Sequence, residues 1–234
     1  MEAGPQPDAR RLRPGALIVS SIDLTRLSPS RLIPVIEISD VAAAVPLAEA
    51  LTEGGIPVAE ITLRTPQAVE SIERIRAALP DFRVGAGSLL NAAQVRRAAD
   101  AGASFGVSPG LTPQLIEAAR ASDLPFIPGI ATIGEVLQGL ELGVERFKFF
   151  PAGNLGGVAT LKAFAAPLAQ TSAAFMPTGG ITLDTLADYL AVPQVFAVGG
   201  SWIATRDQIA AGDFAGITER AAQAVSHVAR LAAA

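Results

Sequence analysis

Cysteine is missing altogether from the 234 residues, and histidine occurs once, at His227. The first absence excludes disulfides and thiolate nucleophiles. Together they exclude a zinc site of the usual kind, which draws three or four ligands largely from His and Cys. A hard-cation site made of carboxylates alone stays open. His227 falls in an Ala-rich C-terminal stretch and is expected on the surface of a helix. Lysine is almost as scarce, with Lys148 and Lys162 set against 16 arginines. These cations form no long basic run and the net charge is −4, so neither nucleic acid nor an anionic membrane is expected as a partner. No apolar run reaches the roughly 20 residues that span a bilayer. Met1 to Pro14 carries three Pro and three Arg and lacks the apolar core of a secretory signal. Residues 1–16 are expected to be a disordered lead-in, and the cytoplasm the compartment.

What the chain has in quantity is aliphatic. Half its residues are hydrophobic, mostly Ala, Val, Ile and Leu, with one Trp and one Tyr. That composition suits parallel strands covered by helices. Short apolar runs begin near Ile33, Pro57, Phe82, Ser104, Pro125, Val144, Ala173 and Gln194, at intervals of 19 to 29 residues. Eight short βα units predict an α/β fold, a single-domain (β/α)₈ TIM barrel over residues 17–234, rather than an open doubly wound sheet. Asp40, Thr65, Asn91, Thr112, Thr132 and Thr182 each follow an apolar run and are expected as N-caps. Pro66 and Pro113 are expected at first helical positions, and Thr132 with Glu135 has capping-box spacing. Val69, Ile72, Ile75 and Leu79 share a helical face, and Gly54-Gly55 should end the first helix. Pro46 inside that helix is a local conflict. Ile18 to Arg31 is expected as an N-terminal helix capping the barrel, and Ala215 to Ala234 as a final helix.

In such a barrel reactive groups project from the C-terminal strand ends, so charges inside apolar strands repay attention. In Phe147-Lys148-Phe149-Phe150, alternation puts Lys148 and Phe150 on one face and Phe147 and Phe149 on the other. If the two phenylalanines pack under helices, Lys148 turns inward. Desolvation disfavours an ammonium, and the neutral amine is the form that attacks a ketone to give an imine. A structural lysine paired with a carboxylate is the alternative. Lys162 lies beside the apolar face of Val158, Leu161, Phe164 and Leu168 and reads as a solvated helix residue. On the second strand Glu60, Thr62 and Arg64 share a face. Glu60 is placed for proton transfers beside an amine, and Arg64 for bidentate recognition of a carboxylate. A structural ion pair within this set is again the alternative. Gly85-Ala86-Gly87-Ser88 leaves room and a hydroxyl at Ser88. Thr178-Gly179-Gly180 and Gly199-Gly200-Ser201 fall at the ends of the seventh and eighth strands, a recurrent phosphate site, with Ser201 expected to open a short helical turn there.

These residues, in this order, resemble the 2-keto-3-deoxy-6-phosphogluconate (KDPG) and 4-hydroxy-2-oxoglutarate (KHG) aldolase family. The matching segments are Ile33-Pro34-Val35-Ile36, Glu60 to Arg64, Gly85 to Asn91, Ser108 to Thr112, Phe147 to Ala152, Pro177 to Ile181 and Gly199 to Trp202. The resemblance implies a class I aldolase that needs no metal and no cofactor. It would yield pyruvate and glyceraldehyde 3-phosphate from a phosphorylated keto acid in the Entner–Doudoroff pathway, usually as a homotrimer. It implies Lys148 as Schiff-base lysine and Glu60 as acid/base. Arg64 and Ser88 would contact the pyruvate carboxylate and Phe150 would wall the pocket. Thr178, Gly179, Gly180, Gly200 and Ser201 would hold the distal and phosphate end. The chain departs from the pattern at Ser88, where the family usually has Thr, and at Glu37, where an apolar residue or Arg is expected and which could point inward. Residues 1–30 are not accounted for by the resemblance. Three other readings stay open: cleavage of the galactonate epimer or of 4-hydroxy-2-oxoglutarate, a phosphosugar isomerase or epimerase on the same scaffold, and a non-catalytic phosphosugar binder.

Overall fold

The computed structural model describes residues 27–233. The expected lead-in over residues 1–16 lies outside them, as does most of the expected capping helix. Of that helix the described part, after Leu27, is a turn. Arg31 there takes φ 58°, and Ser28 Oγ closes the turn by donating to the Leu32 carbonyl at 2.7 Å.

Among the described residues there are nine short strands, all paired in parallel. They are β1 (Leu32–Ile36), β2 (Val58–Thr62), β3 (Arg83–Gly87), β4 (Phe105–Val107), β5 (Phe126–Ile127), β6 (Gly129–Ile130), β7 (Arg146–Phe149), β8 (Ala174–Pro177) and β9 (Val198–Gly200). One curled sheet has the order β5-β4-β3-β2-β1-β9 and a second the order β6-β7-β8. The fifth predicted strand is split, because Pro128 has no N–H to give the ladder; its carbonyl still accepts from Lys148 N at 2.8 Å. The eighth predicted run starts at Gln194, but the strand begins only at Val198. Isolated bridges Phe175↔Val195 and Thr178↔Gly199 carry the pairing from the second sheet back toward the first.

Seven helices lie between the strands in sequence, α1 (Ala44–Glu53), α2 (Ala68–Ala78), α3 (Ala92–Asp100), α4 (Pro113–Ala121), α5 (Ile133–Glu141), α6 (Gly157–Ala165) and α7 (Leu183–Leu190), and α8 (Arg206–Ala211) and α9 (Phe214–Ala233) follow β9. Asn91, Thr112 and Thr132 cap as predicted, with Pro113 at the start of α4 and a full capping box at Thr132 and Glu135. Thr182 stands at the N-cap of α7, paired with Thr185, and Asp40 caps the short 3₁₀ turn Val41–Ala43 that leads into α1. Thr65 does not cap. Its hydroxyl donates to the Ile38 carbonyl at 2.5 Å, and α2 starts at Ala68, so Pro66 lies before the helix. The conflict at Pro46 dissolves, because it sits in the first turn of α1, where a backbone N–H has no intrahelical partner. Gly54 ends α1 as expected. It also lets α9 approach, since a methyl group there would overlap Ala221 and the Thr218 carbonyl.

Phe105, Phe147, Phe149 and Phe175 are the largest fully buried side chains. Burying each contributes roughly 1.5–3 kcal/mol. Phe149 meets Phe164 of α6 edge to face at 5.7 Å, which holds β7 against its covering helix. His227 of α9 is half-buried rather than on the surface, with Nε2 unpartnered among the described residues.

Candidate active site

Phe147 and Phe149 are both fully buried under helices, so Lys148, one residue out of phase, faces the interior. Its register partners are Gly129 on β6 and Met176 on β8. From the other sheet, Glu60 on β2 meets it: Lys148 Nζ lies 3.0 Å from Glu60 Oε1 and 3.3 Å from Oε2. The pair spans 88 positions of sequence and joins strands that are not neighbours, so it crosses the interior. The side chains are 7% and 0% exposed. The structural alternative is therefore met in part, since a lysine–carboxylate pair does exist. It is also a pair that carries a large desolvation cost for a fold to bear.

Space for Glu60 comes from Gly87, its neighbour on β3. A Cβ there would overlap the Glu60 carboxylate. Above Glu60 on the same face, Thr62 donates to the Ile36 carbonyl at 3.0 Å. Arg64 lies beyond the strand, exposed, and its Nε donates to Ser88 Oγ at 3.1 Å. Ser88 takes φ 59°, a left-handed conformation that residues with a side chain adopt at some cost. Lys162 is exposed on α6, as predicted.

Two residues beyond Glu60 and Lys148, Thr62 and Phe150 line a cavity of about 340 Å³, together with Arg64, Thr178, Gly179, Gly180, Gly200 and Ser201 among others. Seven of the ten predicted site residues, all but Lys148, Glu60 and Ser88, thus border one space. Lys148 and Glu60 do not line it themselves; Phe150, which does, has its ring centroid 5.4 Å from Lys148 Nζ. Ser88 joins through Arg64 rather than by lining the cavity itself. At the far end Gly179 and Gly180 take φ 96° and 72°, open to glycine without strain. The N–H groups of Gly179, Gly180 and Ser201 donate to no carbonyl among the described residues. All three residues line the cavity, and backbone amides left free of carbonyls can bind anions. The helical turn predicted at Ser201 starts instead at Thr205, which caps α8 by accepting from Gln208 N.

The rest of the lining includes two charged residues, Glu37 just beyond β1 and Arg206 at the start of α8. Glu37 stood out in the sequence as a departure, and it does face the cavity. Arg206 was missed, because one arginine at a helix start has nothing to mark it. Among the described residues no group of three or more His, Asp or Glu is arranged to hold a metal.

The family model of KDPG and KHG aldolase matches residues 24–220. The KHG/KDPG aldolase of Escherichia coli K12 is 45% identical over 199 residues, 85% of this chain and 92% of that protein. The crystal structure of a KDPG aldolase from Legionella pneumophila, with pyruvate captured as a covalent carbinolamine, superposes with a TM-score of 0.81 at 42% identity, over 86% of this chain and 96% of that one. The Zymomonas mobilis enzyme with 3-phosphoglycerate gives 0.79 at 45% identity, over 86% and 93%. With the interior lysine–glutamate pair, the arginine–serine contact and the paired-glycine strand ends all in place, the chain belongs to the KDPG and KHG aldolase family.

Proposed function

We propose that the protein is a Schiff-base aldolase that cleaves 2-dehydro-3-deoxy-6-phosphogluconate to pyruvate and glyceraldehyde 3-phosphate. The observation that carries this reading is the buried contact of 3.0 Å between Lys148 and Glu60, on strands whose next inward residues, Phe150 and Thr62, line a cavity. Lys148 passes a proton to the Glu60 carboxylate, and the freed lone pair adds to the C2 carbonyl. Glu60 returns the proton to the carbinolamine hydroxyl, which leaves as water and gives a protonated imine. Glu60, again a carboxylate, takes the proton of the C4 hydroxyl. The C3–C4 bond breaks, its electron pair flows into the iminium as an enamine, and glyceraldehyde 3-phosphate departs. Protonation at C3 and hydrolysis release pyruvate and restore the amine.

Arg64 and Ser88 hold the substrate carboxylate, Phe150 walls the reacting carbons, and Thr178, Gly179, Gly180, Gly200 and Ser201 receive the distal end and phosphate. The two sheets are read as one closed (β/α)₈ ring, with β5 and β6 a single interrupted strand. The bridges from β8 and the packing of α9 on α1 support that reading. An isomerase, epimerase or passive binder would leave the interior amine without a task. A homotrimer is the expected assembly, and exposed Leu90 and Leu137 are apolar surface that association could cover. The cytoplasm is the expected compartment, because a phosphorylated carboxylate does not cross a bilayer unaided.

The test is reductive trapping. Borohydride with pyruvate should leave a reduced adduct on the peptide bearing Lys148 and end activity in proportion. An enzyme that turns over but yields no adduct at Lys148 would sink the imine mechanism.

A further inference from the structure

The roles above leave one cation of the cavity unused. Among the lining residues the cations are Arg64 and Arg206, and the acid is Glu37. Arg206 Nη2 lies 2.5 Å from Glu37 Oε2, and the side chains are 66% and 17% exposed. That contact occupies one nitrogen of a guanidinium with five N–H donors. Nη1 and Nε of Arg206 have no partner among the described residues.

We propose that Arg206 is a specificity-determining residue that contacts the phosphoryl group of the substrate, with Glu37 as the residue that positions it. The inference rests on the aldolase reading above and names what that reading leaves open, the residue that distinguishes phosphorylated from unphosphorylated substrates. The substrate is negative at both ends. Arg64 meets the carboxylate, but the free amides of Gly179, Gly180 and Ser201 are dipoles without net charge. A dianionic phosphate gains most from a cation, and Arg206 is the cation lining the cavity beside Ser201 and Thr205. A long exposed arginine otherwise samples many rotamers. Pairing with Glu37 holds its fork over the cavity, and the donors left free match phosphate oxygens. Glu37 also cancels the charge of Arg206 in the empty site, which weakens the attraction for lesser anions. The distal carboxylate of 4-hydroxy-2-oxoglutarate is carried on a shorter chain than the phosphate ester and falls short of Arg206.

The experiment measures kcat and KM on both substrates for wild type, Arg206→Ala, Arg206→Lys and Glu37→Ala, with inorganic phosphate as a competitive inhibitor. Arg206→Ala should lower kcat/KM on the phosphorylated substrate about ten- to a hundredfold through KM, the scale of a lost charge-assisted hydrogen bond. The shorter substrate should change less than about threefold, and inhibition by phosphate should weaken in step. Arg206→Lys should fall between. Glu37→Ala should raise KM for the phosphorylated substrate by a smaller factor and leave kcat alone. Equal losses on both substrates, or unchanged phosphate inhibition, would overturn the role of Arg206. An unchanged KM in Glu37→Ala would overturn the positioning role. A wild type that cleaves neither substrate refutes the aldolase reading itself, and this inference with it.

Discussion

Lys148–Glu60 and Arg206–Glu37 are both cation–glutamate pairs, yet the first is sealed from water and the second lines the cavity. Both join residues far apart in sequence, across 88 and 169 positions. Both are within hydrogen-bonding distance, so contact alone does not separate them. Solvent does. Stripping two charges of water costs several kcal/mol per ion before their attraction repays it, whereas an exposed pair loses little hydration and contributes about 0–1 kcal/mol. A fold seeking stability would fill the Lys148–Glu60 space with apolar side chains. Its presence there is best understood through proton transfer, with donor and acceptor already in contact. The outer pair costs little to form, which suits a contact whose task is to hold Arg206 over the cavity rather than to stabilise the fold.

The comparison is broken most severely at its inner member. Lys148→Ala removes the nucleophile, and steady-state turnover should fall by at least about 10⁴-fold, since no other group can carry the covalent route. Gel filtration and circular dichroism should still report a folded chain. Its midpoint in urea should drop, because an unpartnered buried carboxylate costs about 3–5 kcal/mol if it stays charged. Activity well above a trace in this variant would remove Lys148 from the mechanism.

Much of this inner end was legible in the sequence, for a physical reason. Strand alternation is local, so Phe147-Lys148-Phe149 fixes which way the lysine points once the phenylalanines are known to be buried. Glu60, Thr62 and Arg64 follow from the same period, and cap chemistry at Asn91, Thr112 and Thr132 depends on residues three positions apart. Where a distant carbonyl competes, local reading fails: Thr65 spends its hydroxyl on Ile38, and α2 begins two residues later than its cap suggested. The outer end was less legible for the same reason. Glu37 could be marked as unusual, but its partner is brought to it only by the fold. Ser201 shows as a strand end, yet the helix beyond it waits for Thr205. The small residues of β3 were read as leaving room, while the specific need for glycine at position 87 requires knowing that Glu60 lies beside it.

That need gives an intermediate perturbation of the inner pair, one that keeps both charges. Gly87→Ala places a methyl group where the Glu60 carboxylate now sits, and β2 and β3 are register partners that cannot easily part. The carboxylate has to move, and a displacement near 1 Å in a catalytic contact can cost about 10²-fold in rate. The expected signature is a fall in kcat with KM for pyruvate in the reverse, aldol direction changed far less. A variant with wild-type kcat would mean that Glu60 tolerates displacement and is not held for proton transfer.

The smallest expected effect is at the outer pair, and it sharpens the contrast because it concerns stability alone. Glu37→Gln keeps the size of the side chain and an oxygen to accept from Arg206, and deletes only charge. With Arg206 66% exposed, water and salt screen what the charge contributed. The loss should stay below about 1 kcal/mol, a shift in Tm of no more than about 2–4 °C for a domain of this size. Raising the salt concentration should shrink even that difference, since screening acts on exposed charges and hardly on buried ones. A loss as large as that of Lys148→Ala, or one indifferent to salt, would mean that the outer pair is as dry and as structural as the inner one. The division of labour drawn between them would then fail.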